Sequence, residues 1–93
     1  GLPAAIAAKI EYPQRTVIAY AGDGCFMMTA QELATAVQYD LPLVLIIADN
    51  SMYGTIRMHQ EKTYPGRVSG TSLINPDFAD MARSFGAWGM TVT

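Results

Sequence analysis

An aspartate between two glycines, Gly22-Asp23-Gly24, closes an apolar run, and the single cysteine of the chain, Cys25, follows it. A carboxylate is costly to bury without a partner. Flanking glycines free the backbone for tight geometry. The placement predicts a glycine loop that holds something charged. A second polar residue, Asn50, closes the next apolar run at Asp49-Asn50. Asp supplies an anionic oxygen and Asn a neutral one. Hard cations such as Mg²⁺ take oxygen ligands and share them with phosphates. The N–H groups of Gly24 and Cys25 lie close to a helix start, where backbone amides favour phosphate. The chemistry implied is a metal ion that anchors a diphosphate.

Such residues need elements that bring them together. Thr16 to Ala21 and Leu43 to Ala48 are apolar runs that read as buried strands. Neither alternates, as expected of parallel strands covered on both faces. Between them, Thr29 and Glu32 have the spacing of a capping box. This predicts a helix over about 30–39, with Leu33, Ala36 and Val37 on its apolar face. Strand, loop, helix and strand make one right-handed βαβ unit. Parallel sheets of this kind bind ligands outside the carboxyl ends of their strands, where Asp23 and Asn50 would share one crevice. The predicted class is α/β, a parallel sheet with helices on both faces.

The flanks complete the outline. Residues 1–12 form a helix with Pro3 in its first turn and Pro13 closing it. Met52 to His59 is a short helix. Residues 60–72, with Pro65, Gly66 and Gly70, form a long loop. Asn75-Pro76-Asp77 predicts a helix start with Asn75 as the cap, running to about Phe85 before Gly86 stops it. Met90 to Thr93 begins a further strand. The chain opens inside a helix without an initiator Met and closes on that strand, so residues 1–93 are expected to be part of a domain, truncated at both ends.

Bulk properties narrow the classes. Half of the 93 residues are hydrophobic, which argues against disorder, and a net charge of -2 gives no basic footprint for nucleic acid. The run Leu41 to Ala48 is too short to cross a bilayer, so no membrane partner is expected. The first residues show neither a basic region nor a cleavage site, so no secretory signal is expected among them. One cysteine excludes an intrachain disulfide and fits a reducing compartment, so a cytoplasmic location is expected.

Gly22-Asp23-Gly24 followed at a distance by Asn50 resembles the cofactor motif of thiamine diphosphate-dependent enzymes. The segments GLPAAIAAKI, QELATAVQY, LPLVLIIADN and FADMARSFGA also resemble that family's diphosphate-binding domain, closest to the acetolactate synthase and 2-oxoacid decarboxylase group. The resemblance covers essentially the whole chain. The family often has Asn-Asn where this chain has Asp49-Asn50. The resemblance implies thiamine diphosphate and Mg²⁺ as cofactors. Asp23 and Asn50 would ligate the metal by side chain and Met52 by its carbonyl. Gly22, Gly24 and Cys25 would sit at the diphosphate, with Tyr53 and Gly54 near the cofactor. It implies loss of CO₂ from a small 2-oxoacid, then protonation or attack on a second carbonyl. The activating Glu would belong to the pyrimidine-binding domain of a partner subunit in a homodimer or homotetramer. No catalytic residue is therefore expected in this chain, and the chain alone should be inactive.

Ile56 stands where pyruvate and indolepyruvate decarboxylases carry Glu, which disfavours that activity, while acetolactate synthases and benzoylformate decarboxylases are apolar there and have Gly at the position of Gly54. Acetolactate synthases carry Trp at the position of His59 and usually Met at that of Thr55, so the chain departs from them there. Two other classes compete. A nicotinamide-binding Rossmann unit could use Asp49 as its ribose acid, but GDGCFM lacks the third glycine. A non-catalytic cofactor-binding homologue would keep the site and serve regulation. Blander roles stand beside the sharper ones: His59 and Arg57 as surface residues, Cys25 as a small loop residue, Met27 and Met28 as packing, Trp88 as core or interface.

Overall fold

The computed structural model describes residues 1–93. Helix α1 spans Leu2–Glu11, with Gly1 as its cap and Pro3 in its first turn. It buries Leu2, Ala5 and Ile6. Lys9, also buried, donates from Nζ to the Arg15 carbonyl at 2.6 Å, so its charge closes the turn after the helix while its stem packs inside. Strand β1 (Ile18–Gly22) pairs in parallel with β2 (Val44–Ala48), from Ile18 opposite Val44 to Gly22 opposite Ala48. The register brings the carboxyl ends of both strands level, which is the geometry a shared crevice needs.

Helix α2 (Asp23–Met27) starts at the residue after β1. The expected glycine loop is therefore a helical turn: Asp23 in the first turn complements the helix dipole, and Phe26 is drawn into the core. A 3₁₀ turn over Ala30–Glu32 leads into α3 (Leu33–Gln38). The capping box does not form. Thr29 makes no side-chain cap, and Glu32 Oε2 instead accepts from Thr35 Oγ1 at 2.8 Å. The crossover is thus two short pieces in place of one helix over 30–39.

Helix α4 (Gly54–Thr63) starts later and runs further than expected, taking up residues assigned to the following loop. It buries no residue. The chain returns through Gly66 and Gly70, and Met52 bridges antiparallel to Ser72. Helix α5 (Phe78–Ser84) is capped by Asp77, whose side chain accepts from the Asp80 N–H, and not by Asn75. Gly86 ends the segment at φ 88°, a conformation other side chains rarely adopt. Residues 90–93 form no strand.

Leu2, Ile6, Ala21, Phe26, Ala30, Leu33 and Ala36 form one core, extended by Leu45, Ile47 and Phe78. Phe26 meets Phe78 edge to face at 5.5 Å and 82°. Cover on the sheet is lopsided. Ala19 and Ala21 are buried, while Ile18 and Tyr20 on the opposite face remain 62% and 72% exposed. The non-alternating strands carry apolar residues for two faces, and this chain covers one of them well. Its radius of gyration is 15.3 Å, against about 12 Å for a compact chain of this length.

Candidate functional site

The end of β1 and the segment after β2 meet at a pocket of about 390 Å³. Its wall holds Gly22, Asp23, Gly24 and Cys25 from the first strand end, and Asn50, Met52, Tyr53 and Gly54 from the second. All eight residues singled out in the sequence therefore line one space. Thr55 and Ile56, at the start of α4, line it too, and Tyr20 and Met28 add apolar surface that the sequence did not flag. Arg57 and His59 are not part of the wall. His59 is exposed, and Arg57 turns its guanidinium towards the Met52 sulfur at 3.9 Å.

Asp23 is the buried polar centre, 2% exposed. Its Oδ1 accepts from the Gly24 N–H at 2.9 Å. Its Oδ2 accepts from the Ser51 N–H and from Asn75 Nδ2, each at 2.7 Å. The same two donors reach Asp49 Oδ1, at 3.0 and 2.9 Å. Two carboxylate oxygens from the two strand ends are thus joined by two shared donors. Burial is the largest single influence on Asp23 and pushes its carboxyl up. The hydrogen bonds from Asn75, Gly24 and Ser51 outweigh it and hold the group below the ordinary 3.8. Asp23 is a carboxylate at neutral pH.

Local backbone builds this arrangement. Ser51 sits at φ 57°, a left-handed conformation unusual for a residue with a side chain, and its N–H points at both acids. The strain is held by the neighbouring strand segment: the Tyr53 N–H donates to the Thr71 carbonyl and the Leu73 N–H to the Ser51 carbonyl, both at 2.8 Å. Asn50 Oδ1 accepts from the Met52 N–H at 3.3 Å, a turn that keeps Asn50 at the pocket. Gly24 is required by close approach. A Cβ there would stand 2.5 Å from the Tyr53 ring.

Sequence reasoning placed Asp23 and Asn50 but missed Ser51 and Asn75. Asn75 had a ready explanation as a helix cap, and only the fold brings it to Asp23. Ser51 acts through its backbone, which carries no side-chain signal.

An α/β unit with a pocket at the level carboxyl ends of parallel strands has the architecture of a ligand-binding domain of the open-sheet class. Comparison with known proteins makes this specific. Residues 1–93 match the family described as "Thiamine pyrophosphate enzyme, C-terminal TPP binding domain", and the chain belongs to that family. It is similar to the acetolactate synthase large subunit of Parasynechococcus marenigrum, 41% identical over 95 residues, covering 100% of this chain and 15% of that protein. It is similar to the acetolactate synthase isozyme 2 large subunit of Escherichia coli, 43% identical over 94 residues, covering 100% of this chain and 17% of that protein. It is also similar to the pyruvate oxidase of Lactiplantibacillus plantarum, 45% identical over 82 residues, covering 88% of this chain and 14% of that protein. The chain thus spans between 14% and 17% of the length of these relatives. No helix is long and apolar enough to cross a membrane.

The donor set would fit a hard divalent cation such as Mg²⁺. A buried, ionised carboxylate and an amide oxygen stand on one wall, and both are hard oxygen donors suited to Mg²⁺. Asp23 Oδ1 takes one donor and Asn50 Oδ1 takes one, so each keeps acceptor capacity for a cation.

Proposed function

We propose that this chain is the part of a thiamine diphosphate enzyme that anchors the diphosphate through Mg²⁺. The observation that carries the reading is Asp23: a buried carboxylate held charged, on the same pocket wall as Asn50 and Met52. Asp23 and Asn50 would hold Mg²⁺ by side chain and Met52 by its carbonyl. One carboxylate and one amide make a weak site for a free ion, and Mg²⁺ commonly completes such a site with phosphate oxygens. Gly22, Gly24 and Cys25 border the place for the diphosphate, and Cys25 lies in the first turn of α2, where N–H groups lack intrahelical acceptors. Tyr53 rests against Gly24 and closes the side of the pocket. When bound, the cofactor supplies the carbanion chemistry that cleaves and forms bonds next to a carbonyl. The chain's own residues bind it, orient it and exclude water.

The reaction class we infer is that of an acetolactate synthase-like carboligase or decarboxylase acting on 2-oxoacids. The relatives support it through their names, which include acetolactate synthases and a pyruvate oxidase. Ile56 on the pocket wall has no proton to give, which favours carbonyl transfer over simple protonation. Thr55, where acetolactate synthases usually carry Met, offers a hydroxyl at the same wall. His59 is exposed and does not line the pocket. The activating Glu belongs in this reading to a pyrimidine-binding domain of a partner subunit, in a homodimer or homotetramer. The open apolar face of the sheet supports assembly with further protein. The free Cys25 suits a reducing, cytoplasmic setting.

Titration calorimetry of the full-length protein tests the reading. Thiamine diphosphate should bind with Mg²⁺ and not with EDTA, and Asp23→Ala should abolish that binding. Binding indifferent to metal and to Asp23 would overturn the proposal, and binding of NAD in its place would support a dinucleotide unit.

A further inference from the structure

Asn75 lies 52 residues along the chain from Asp23, yet its amide nitrogen donates to Asp23 Oδ2 at 2.7 Å and to Asp49 Oδ1 at 2.9 Å. Both neighbours are carboxyl groups. Two carboxylates are acceptors only, so the group between them must be the –NH₂ of the amide. The helix start that would otherwise occupy Asn75 is capped by Asp77, which leaves Asn75 free to bridge. Its delivery is built into the backbone, through the Thr71–Leu73 segment bonded to Ser51 and Tyr53.

The bonds use the two oxygens of Asp23 unequally. Oδ2 is taken by Ser51 and Asn75, while Oδ1 has only the Gly24 N–H. A carboxylate oxygen accepts about two bonds. Oδ2 is therefore filled and Oδ1 is the oxygen left for a cation. Asn75 also separates two like charges that would otherwise face each other across shared donors, a contact that would turn Asp23 away or pull an incoming ion towards Asp49.

We propose that Asn75 is a positioning residue for the metal: it pins the Asp23 carboxylate so that one oxygen, Oδ1, is offered, and so favours Mg²⁺ over Ca²⁺. The inference rests on the reading of Asp23 as the Mg²⁺ ligand. Its physical basis is that Mg²⁺ demands near-ideal octahedral geometry at short distance, whereas Ca²⁺ accepts one or both oxygens of a carboxylate in flexible geometry. A pinned carboxylate suits the first ion. A carboxylate held only by the Gly24 and Ser51 N–H groups has more freedom to turn, which the second ion tolerates better than the first.

The test measures ion affinity and not turnover. In the full-length protein, with a fixed excess of thiamine diphosphate in solution, apparent dissociation constants for Mg²⁺ and for Ca²⁺ are measured by calorimetry for wild type, Asp23→Ala and Asn75→Ala. Asn75→Ala should weaken Mg²⁺ about 10- to 100-fold, the range for losing a residue that orients a ligand, and weaken Ca²⁺ clearly less. A purely structural Asn75 would lower both affinities equally, and equal loss or no loss overturns the inference. Asp23→Ala separates the two levels. If it abolishes Mg²⁺ binding while Asn75→Ala changes nothing, the metal reading stands and the role of Asn75 falls. If Asp23→Ala leaves Mg²⁺ untouched, both fall. Should Asn75→Ala not fold, Asn75→Ser, which keeps one donor but cannot span both acids, carries the same criterion. If neither folds, Asn75 is structural and the inference is overturned.

Discussion

At the carboxyl ends of the strands, polar atoms find partners within the chain; along the flank of β2, apolar side chains do not. The first region holds Asp23, Asp49, Ser51 and Asn75 in a closed set of hydrogen bonds, and no buried side-chain polar atom lacks a partner. The second is an open cavity of about 810 Å³, lined mostly by apolar residues from α3, β2, α5 and the last residues of the chain. Trp88 there is 81% exposed. Polar and apolar groups solve different problems. A buried charge must be satisfied locally, because a missing bond costs most of its desolvation. Apolar area is additive and non-directional, so its cover can come from any protein surface that fits. The site is thus self-contained in its bonding, while the sheet that carries it is not self-contained in its burial.

Three substitutions or conditions probe that contrast, beginning with the largest. Phe26→Ala strikes the place where both regions share support, since Phe26 is 2% exposed and packs edge-on against Phe78. The expected loss is about 3–5 kcal/mol, read as a lowered urea midpoint of the full-length protein. A loss under 1 kcal/mol, on the order of a surface change, would mean that neighbours outside this chain carry the core. Gly24→Ala comes next. The added methyl meets the Tyr53 ring at 2.5 Å, and overpacking of this kind costs about 1–3 kcal/mol. Cofactor affinity should fall with it, because Tyr53 must leave its place on the pocket wall. Unchanged affinity would show that Tyr53 is free to move.

The smallest effect is in pH. The Asp23 carboxyl is depressed below 3.8 in the folded chain. Its stabilising contribution is therefore complete above the ordinary carboxylate value and is lost as pH falls through the depressed folded one. With metal chelated, the stability difference between wild type and Asp23→Asn should be flat near neutrality and shrink below pH 3.8. A difference that grows on acidification would mean that burial dominates over the hydrogen bonds from Asn75, Gly24 and Ser51.

Much of the architecture was legible from local pattern. Two apolar runs separated by helix-length sequence predicted a parallel pair, and β1 and β2 pair in parallel. Asp23 and Asn50 were legible as neighbours at one pocket because each closes an apolar run and the two runs pair in parallel with level ends. The misses have physical causes. Thr29 and Glu32 have capping-box spacing, but the 3₁₀ turn they enter does not present the N–H groups a cap needs, and Glu32 bonds Thr35. Residues 60–63 read as loop by composition, yet extend α4, which has no buried face and hence no apolar periodicity to detect. Asn75 reads as the cap with Pro76 at the first helical position, whereas Asp77 caps the helix and Asn75 bonds Asp23, a contact across 52 residues that no local pattern carries.

The sequence by itself determined the class of the domain and the residues that close its two strands, because strand hydrophobicity and glycine placement are local properties of the chain. Only the tertiary structure decided that Asn75 bonds Asp23 instead of capping a helix, that Ser51 turns its N–H on two acids, and that Asp23 Oδ2 takes two donors while Oδ1 takes one. Those facts depend on contacts between residues far apart in the chain. Hydrogen bonds are directional and short, so which donor reaches which oxygen is settled by the folded backbone and not by composition or spacing.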